Sequence, residues 1–387
     1  MSTRVIRNIG ELTTNDPSVG DHTKMGRLTN AALVIDEHRV LWSGPDNDAP
    51  AADEMIDARG GAVVPGFVDS HTHAVFAGER SDEFEARMAG EVYDGGGILR
   101  TVKATRASNS EQLRRESAGR IDELRAGGVT TVEIKSGYEL TVEGEQRLLD
   151  VAQEFSDELT LLGAHVVPEE YRSDRDGYVS LVAGAMTDRC APRAKWADVF
   201  CDRGAFSVDE ARHILKSARE AGLALRIHAN QMADIGAISL AVDLDCASVD
   251  HCTHVSDEDV HRLASSSTVV TLLPGAEFST RSRYPSGRRF LDAGVQVALA
   301  TDCNPGTSYV TSMGFVIALA VREMSMTVDE AVWAATRGGA TALRRDDIGH
   351  LGVGARADLV LLRAPRAAHL AYRPGAALVG STLRAKR

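Results

Sequence analysis

The chain has 387 residues, of which 43% are hydrophobic and 25% charged, fractions typical of a globular protein with a sizeable core. It carries 43 lysines and arginines against 55 aspartates and glutamates, so the formal net charge is −12. This acidic balance repels phosphate backbones and argues against nucleic acid as a main partner. A small anionic substrate fits the composition only if a local cationic side chain holds it.

We expect neither a secretory signal nor a membrane span. The N-terminal residues contain no apolar segment of the signal-peptide type. Residues 303–321 carry no charge, but their apolar part is too short to cross a bilayer, and we predict a buried helix there. The five cysteines form no C-x-x-C pair, which favours free thiols and a reducing, cytoplasmic environment.

The two ends of the chain share a β pattern. Residues 33–45 (LVIDEHRVLWSGP) predict two short strands joined by a turn. Residues 349–365 (GHLGVGARADLVLLRAP) again place turn glycines before a strand. We therefore expect both termini to form one small β-sandwich domain, made of residues 1–62 and 346–387.

Between the termini, short apolar runs alternate with longer mixed segments. Most of these runs have the length and β-branched content of buried parallel strands. They cover residues 62–69, 129–136, 159–166, 196–202, 223–229, 246–252, 268–274 and 295–302.

Two of the mixed segments, 111–128 and 207–223, have helical periodicity, and the second begins with a capping pair, Ser207 and Glu210. Alternating strands and helices predict an α/β protein with a mostly parallel sheet. Eight strands favour closure into a (β/α)8 TIM-type barrel over residues 63–345. The alternative is an open doubly wound sheet, which typically has fewer strands and a glycine-rich first turn.

The first predicted barrel strand ends in two histidines, His71 and His73, within VDSHTHAVFAGER (68–80). Because side chains alternate along a strand, residues at i and i+2 point to the same face, here the barrel interior. Two converging imidazoles can hold one divalent ion. Alone, an H-x-H pair is as often a solvated strand end as a metal site.

The ends of other predicted strands strengthen the metal interpretation. His165, His228, His251 and Asp302 lie at the C-terminal ends of four further strands. Barrel enzymes place their active sites at this face. Five histidines and one aspartate at the same end of five strands indicate a metal site rather than packing.

Longer blocks of the sequence resemble a known family. The H-x-H pair, the later single histidines and the final aspartate resemble the amidohydrolase superfamily, as does GARADLVLL (354–362). Within that superfamily, several blocks resemble the imidazolonepropionase family, over about residues 61–375. They are HTHAVFAGER (71–80), GGGILRTVKATR (95–106), TTVEIKSGY (130–138), LGAH (162–165), DVFCDRGAFS (198–207) and ATDCNPG (300–306).

The resemblance implies a metal-dependent hydrolase of L-histidine degradation. Such an enzyme opens the cyclic amide of 4-imidazolone-5-propanoate and gives N-formimidoyl-L-glutamate. The resemblance also implies a homodimer with one divalent metal per chain, zinc or iron. The implied ligands are His71, His73, His228 and Asp302, with His251 beside the metal assisting the attacking water. The implied substrate-contacting positions are Arg80, Tyr93, Tyr138, His165, Gln231, Asn304, Gly306 and Thr307.

The chemistry of this substrate fits these residues. Its propanoate needs a cation, which Arg80 offers as a two-pronged guanidinium. Its ring needs hydrogen-bonding and stacking partners, which Tyr138 and His165 can provide. Its amide carbonyl needs a strong nucleophile, and zinc lowers the pKa of bound water to about 7. We expect His251 to stabilise the developing oxyanion and Asp302 to pass a proton to the leaving nitrogen.

Two features depart from the family pattern, and a third feature, Lys135, allows two interpretations. Only Asp94 separates Tyr93 from the glycines that follow, so the loop is shorter than usual in the family. Glu139 replaces the usual glycine after KSGY, and a glutamate with positive φ would be strained there. Lys135 could bridge two metals as a carboxylated lysine, but we favour an ion pair with Glu133 inside the barrel.

The metal set alone also fits another cyclic amidase or an aminohydrolase of the superfamily. Arg80 and the KSGY and NPG blocks favour imidazolonepropionase chemistry, because the metal set does not require them. A non-catalytic barrel that serves as a scaffold would be expected to lose ligands, and all four are present.

Overall fold

The structure, a computed structural model, describes residues 2–91 and 97–386. Two sheets form the framework, one of seven strands and one of eight. The strands are β1 (Arg4–Thr13), β2 (Arg27–Ile35), β3 (Val40–Pro45), β4 (Glu54–Asp57), β5 (Val63–Pro65), β6 (Phe67–Asp69), β7 (Val129–Lys135), β8 (Glu158–Ala164), β9 (Trp196–Cys201), β10 (Ala224–Ala229), β11 (Ser248–His251), β12 (Val269–Leu272), β13 (Val297–Leu299), β14 (Leu359–Leu362) and β15 (Val379–Leu383).

Helices follow most of the barrel strands. They are α1 (Ser81–Met88), α2 (Ile98–Ala107), α3 (Ser110–Ala126), α4 (Val142–Ala152), α5 (Arg175–Leu181), α6 (Thr187–Cys190), α7 (Val208–Glu220), α8 (Ala237–Asp243), α9 (Asp257–Ala264), α10 (Pro274–Thr280), α11 (Gly287–Asp292), α12 (Met313–Glu323), α13 (Val328–Trp333), α14 (Gly339–Ala342) and α15 (His369–Tyr372). Val182–Met186 and Ala334–Gly338 are π-helical, and Asp46–Asp48 and Glu169–Tyr171 are short 3-10 helices.

Both chain ends contribute to the seven-stranded sheet, as predicted. Its order is β15-β14-β5-β1-β2-β3, and β4 pairs with β1. β14 lies antiparallel between β5 and β15, which joins the C-terminal strands to the N-terminal ones. β2 and β3 form the antiparallel pair predicted over residues 33–45. Side chains with almost no exposure, including Ile6, Ile9 and Leu12, form the core of this sheet.

The eight-stranded sheet is parallel and runs in chain order from β6 to β13. Seven of its strands fall within the predicted apolar runs, and β8 begins one residue before the run predicted over 159–166. Past the strand ends, Thr72 and Cys303 form a parallel bridge. There the Asp302 N–H donates to the His71 carbonyl at 3.1 Å, and the His73 N–H donates to the Cys303 carbonyl at 3.0 Å. These bonds link the first and last strand ends of a (β/α)8 barrel, so the predicted fold class is confirmed.

The two predicted barrel helices are also present, as α3 and α7. At the start of α7, Ser207 Oγ accepts from the Glu210 N–H, and Glu210 Oε2 accepts from the Ser207 N–H at 2.7 Å. This capping box satisfies backbone donors that the helix itself leaves unpaired, and a cap of this kind stabilises a helix by about 1 kcal/mol. The buried positions of α7 recur every three or four residues, as one apolar face requires.

The uncharged segment 303–321 is helical only in its second half, so the helix prediction is wrong for residues 303–312. Those residues form a loop, and α12 begins at Met313 after Ser312, whose side chain accepts from the Phe315 N–H. Pro305 and Gly306 in the first half disfavour a continuous helix. Within residues 2–91 and 97–386, no helix combines the length and the apolar character that a bilayer span needs.

The described candidate site residues all belong to one compact unit, formed by His71–Asp122 and Val132–Thr311. Each of them lies at or just beyond the C-terminal end of a barrel strand, or in the loop that follows it. The domain boundaries expected after residues 62 and 345 stay a prediction.

Candidate active site

The predicted ligands meet at the C-terminal end of the barrel. His71, His73 and Asp302 offer ligand atoms within 4.8 Å of one another, and so do His71, His228 and His251. Asp302 Oδ1 lies 3.5 Å from Nε2 of both His71 and His73. His228 Nε2 lies 3.3 Å from His73 Nε2. The donor groups therefore converge on one point, although they come from distant parts of the sequence.

The backbone at two of these residues is left-handed. His251 has φ 75° and Asp302 has φ 53°, values that cost a non-glycine residue about 1–3 kcal/mol. His251 is the last residue of β11, and Asp302 lies three residues beyond the end of β13. Such strain commonly occurs at functional sites, where the surrounding structure holds it.

Buried carboxylates orient two of the candidate ligand histidines. His71 Nδ1 lies 2.7 Å from Asp250 Oδ2, and His228 Nδ1 lies 3.0 Å from Asp198 Oδ2. A carboxylate only accepts, so Nδ1 of each imidazole carries the proton and Nε2 presents its lone pair to the centre. His71 Nε2 is buried and, among the described residues, has no hydrogen-bond partner. A divalent metal ion would satisfy it, so the donor set fits a metal.

Lys135 anchors the carboxylate behind His228. Its Nζ lies 2.8 Å from Glu133 Oε1 and 2.9 Å from Asp198 Oδ2, and all three side chains are fully buried. This confirms the predicted ion pair with Glu133. Burial opposes ionisation of Asp198, but the neighbouring His228 and Lys135 outweigh it and hold the pKa of that carboxyl below its usual range. Asp198 is therefore a fixed negative charge behind the ligand.

Burial keeps four of the site's imidazoles neutral. It lowers the pKa of His71 and of His73 well below the ordinary value, chiefly because the charged form is desolvated. The same cause lowers the pKa of His165 and of His251 to about 3. Neutral imidazoles offer lone pairs at neutral pH, which is the form that ligates metals.

Two predicted substrate contacts form an aromatic wall beside His73. The rings of His73 and His165 stack with centroids 5.2 Å apart. The Tyr138 ring lies 5.1 Å from His165 and 5.9 Å from His73. All three side chains are buried, so a flat ring bound here would lose its contacts with water and gain contacts with aromatic rings.

The loop that carries Tyr138 is held by a residue that sequence reasoning missed, Glu145. Its carboxylate accepts from the backbone N–H groups of Gly137 at 2.6 Å, Glu139 at 2.9 Å and Leu140 at 2.7 Å. The positive φ angles fall on Gly137 and Leu140 and not on Glu139, so the expected strain at Glu139 is wrong.

Arg80 is buried and held by Glu83. Its Nε lies 2.9 Å from Glu83 Oε1, and its Nη2 lies 2.6 Å from Glu83 Oε2. A Cβ at Gly97 or at Gly306 would collide with the guanidinium, so both positions need glycine for close approach. Arg87 Nη2 donates to the Gly306 carbonyl at 2.6 Å, which places a second guanidinium beside the same loop.

Asn304 organises the loop after the last strand. Its Nδ2 donates to the Asp302 carbonyl at 2.7 Å, and its Oδ1 accepts from the N–H groups of Gly306 and Thr307, each at 2.8 Å. Thr307 Oγ1 lies 3.0 Å from Asn304 Nδ2. The amide is thus engaged within its own loop, where it fixes the backbone next to Asp302.

Gln231 is half-buried and lines a cavity of about 490 Å³ at the same end of the barrel. The other predicted contact, Tyr93, lies outside the described residues, together with the shortened loop around Asp94. The cavity is within the size range of small-molecule sites.

Comparison with known proteins identifies the family. The amidohydrolase family model matches residues 62–380. A protein named imidazolonepropionase from Mycolicibacterium smegmatis is 58% identical, covering 99% of this chain and 97% of the relative. Another of the same name, from Streptomyces griseus, is 56% identical, covering 99% and 98%. The chain belongs to the imidazolonepropionase family.

The fold of this imidazolonepropionase family member also matches solved structures. An atrazine chlorohydrolase variant from Arthrobacter aurescens, complexed with zinc and atraton, superposes with a TM-score of 0.72. That match covers 98% of this chain and 93% of the other at 18% identity, so it supports the fold alone.

Sequence reasoning predicted the candidate ligands that the structure brings together, but it missed the residues that hold them. Glu133 and Lys135 were found as a pair, whereas Asp198, Arg226 and Asp250 were not. Arg226 Nη2 lies 3.5 Å from Asp250 Oδ2, and both side chains are fully buried. The available signal was a charged residue within an apolar strand run, which requires a buried partner.

Proposed function

We propose that the chain is an imidazolonepropionase, which hydrolyses the cyclic amide C–N bond of 4-imidazolone-5-propanoate and gives N-formimidoyl-L-glutamate. Near full-length identity of 56–58% to two proteins of that name supports this reaction. The structural observation that carries it is the convergence of neutral imidazoles and one aspartate beside a buried arginine. This arrangement suits a small anionic substrate with a carbonyl to be attacked.

His71, His73, His228 and Asp302 would hold the one divalent metal per chain, zinc or iron. When bound, such an ion lowers the pKa of water and polarises a carbonyl. Asp250 and Asp198 orient two of the ligands and make them better donors. The donors include three imidazoles, which suit zinc and iron better than magnesium or calcium.

Arg80 would bind the propanoate, with Glu83 fixing the plane of its guanidinium. Tyr138 and His165 would contact the ring, and Gln231, Asn304, Gly306, Thr307 and Tyr93 are the remaining proposed substrate contacts. Among these, the hydrogen bonds of Asn304 support a positioning role for its side chain.

His251 and Asp302 have different roles, because His251 donates a hydrogen bond and Asp302 transfers a proton. With its pKa lowered to about 3, His251 is neutral and cannot act as an acid, but it can donate a hydrogen bond. Its Nδ1 is buried without a hydrogen-bond partner in the described part of the chain, so a developing oxyanion would satisfy it. Asp302 would take a proton from the attacking water and pass it to the leaving ring nitrogen.

Turnover of 4-imidazolone-5-propanoate by protein of known metal content tests this function. We expect turnover to vanish on chelation and to return in proportion to the metal restored. Absence of turnover in fully metallated protein would overturn the proposed substrate and leave the metal site. Zinc-loaded and iron-loaded preparations, each checked by elemental analysis, decide between the two metals.

The homodimer and the cytoplasmic location belong to the same proposal. All five cysteines are buried free thiols, which fits a reducing compartment. A measurement of mass in solution by light scattering would distinguish a dimer from the 41.4 kDa monomer.

A further inference from the structure

Glu277 has an unusual environment in the cavity at the barrel mouth. It lies in α10, directly after the seventh barrel strand, and only 2% of its surface is exposed. Thr253 Oγ1 donates to its Oε1 at 2.9 Å. Its Oε2 is buried and makes no hydrogen bond to any described residue. Burial raises the pKa of Glu277 to about 7, because the charged form is desolvated.

Most of the other charged residues in the cavity wall around Glu277 are cationic. Arg87, Arg203 and Arg281 line the same cavity, as does Gln231. The other acid in the described wall is Glu91, which is exposed to solvent. A buried carboxyl oxygen without a partner is costly, so such a group in a binding cavity indicates a ligand that supplies the missing donor.

The proposed reaction creates such a donor. Water adds its oxygen to the ring carbonyl carbon, and its proton reaches the ring nitrogen as the C–N bond breaks. The new carboxylic acid then gives its proton to the formimidoyl group, which is a strong base. A substrate with one negative charge thus becomes a product with two carboxylates and one formamidinium cation. With Arg80 holding the propanoate, the arginines of the cavity wall suit the new carboxylate, and its one buried acid suits the cation.

We propose that Glu277 is a specificity-determining residue whose free carboxyl oxygen binds the nitrogen end of the opened ring. This inference rests on the proposed function. Thr253 holds Oε1, so Oε2 is the acceptor left for a ligand. A charge-assisted hydrogen bond formed there is absent for the intact neutral ring, so Glu277 distinguishes the opened ring from the closed one.

The proposal is tested by comparing how tightly two glutamate derivatives bind to the metallated protein, with each one competing for the same site. N-formimidoyl-L-glutamate and N-formyl-L-glutamate differ only in a cationic amidinium against a neutral amide. We expect the unsubstituted protein to bind the formimidoyl compound about 10–100 times more tightly. In Glu277→Gln that preference should fall towards one, while binding of the formyl compound changes little.

Glu91→Gln is the matched control, because it removes the same charge from the same cavity but at an exposed side chain. It should leave the preference intact. Equal binding of both compounds by the unsubstituted protein would overturn the proposal and needs no variant to fold. A preference that persists in Glu277→Gln would also overturn it. Turnover of 4-imidazolone-5-propanoate is measured separately, so failure of the function and failure of this inference are distinguishable.

Discussion

The barrel interior and the terminal sheet are stabilised by different interactions. Next to the candidate ligands, the barrel encloses five charged side chains that are each 0% exposed, namely Glu133, Lys135, Asp198, Arg226 and Asp250. The main core cluster of the terminal sheet consists of aliphatic side chains, including Ile6, Ile9, Leu12, Leu33 and Val63. The core cluster of the sheet contains no charged side chain, and the acids buried at its margin, Glu11 and Asp358, are 7% and 4% exposed.

The difference shows what each region is built to do. Burial of aliphatic surface stabilises a fold by about 25 cal/mol per Å², but it is non-directional and fixes no particular atom. Buried ion pairs add little net stability, because desolvation offsets most of the attraction. They do fix geometry, and here they set the tautomers of His71 and His228. Substitutions in the barrel interior should therefore affect function and stability together, whereas those in the sheet should affect stability alone.

The largest effect is expected from His228→Ala. It removes a proposed ligand and leaves Asp198 without its imidazole partner. Because outer partners of a metal site are commonly worth about 10–100-fold, loss of a direct ligand should cost more than about 100-fold in turnover. Elemental analysis should show less than one metal per chain. His213→Ala, an exposed histidine of α7, is the control, and an equal loss there would refute the assignment.

Lys135→Met tests the buried ion network. The substitution keeps the volume of the side chain but leaves Glu133 and Asp198 as uncompensated buried charges. We expect the free energy of unfolding to fall by about 3–5 kcal/mol, measured by urea denaturation. Metal affinity should fall as well, because Asp198 loses the group that orients it.

Lys195→Met is the matched control for this network. Lys195 pairs with Glu158 at 2.9 Å, but its side chain is 39% exposed. Glu158 is only 4% exposed, but it keeps its hydrogen bond from Trp196 Nε1, so loss of the partly solvated lysine should cost about 1 kcal/mol, less than loss of Lys135. If both lysine variants lost the same stability, the contrast between interior and exterior pairs would be wrong.

Leu12→Ala addresses the other side of the comparison. Leu12 is fully buried in the terminal sheet, and its truncation should cost about 2–5 kcal/mol in unfolding free energy. The turnover number of the folded fraction should stay unchanged. Leu41→Ala, at a residue of β3 that is 41% exposed, should change stability by less than about 0.5 kcal/mol. Altered kcat in Leu12→Ala at full metal occupancy would contradict the separation of the two regions.

A feature of the structure could be predicted from the sequence where it depends on one segment of the chain. The barrel strands were found because β-branched apolar runs of strand length have few other structural solutions. The convergence of the candidate ligands was predictable because alternation along a strand and the position at its end fix where a side chain points. These are local properties, and local properties can be read from one segment at a time.

The partners of the ligands could not be found in this way. His71 and Asp250 are 179 residues apart, and their contact depends on how the strands are arranged around the barrel. His228 and Asp250 are register partners on neighbouring strands, which only the assembled sheet defines. The segment 303–321 shows the opposite error, because its lack of charge concealed a loop followed by a helix.

The smallest expected effect concerns a charge pair on a barrel helix rather than inside the barrel. Arg175 Nη2 lies 2.8 Å from Glu210 Oε2, within the capping region of α7. The Arg175 hydrogen bond holds the pKa of Glu210 at about 2, below its ordinary value of 4.5. A lowered folded-state pKa means that the stabilisation is fully present above pH 4.5 and is lost as the pH falls through about 2.

Glu210→Gln should therefore lower the free energy of unfolding by about 1 kcal/mol at pH 7, since a partly solvated pair and a cap each contribute on this scale. The difference between Glu210→Gln and the unsubstituted protein should shrink between pH 4.5 and pH 2. Glu220→Gln, at an exposed end of the same helix, should show no such dependence. A pH-independent difference would assign the effect to the shape of the cap rather than to its charge. The Arg175–Glu210 pair would then stabilise the protein through the shape of the cap, whereas the interior network acts through charge.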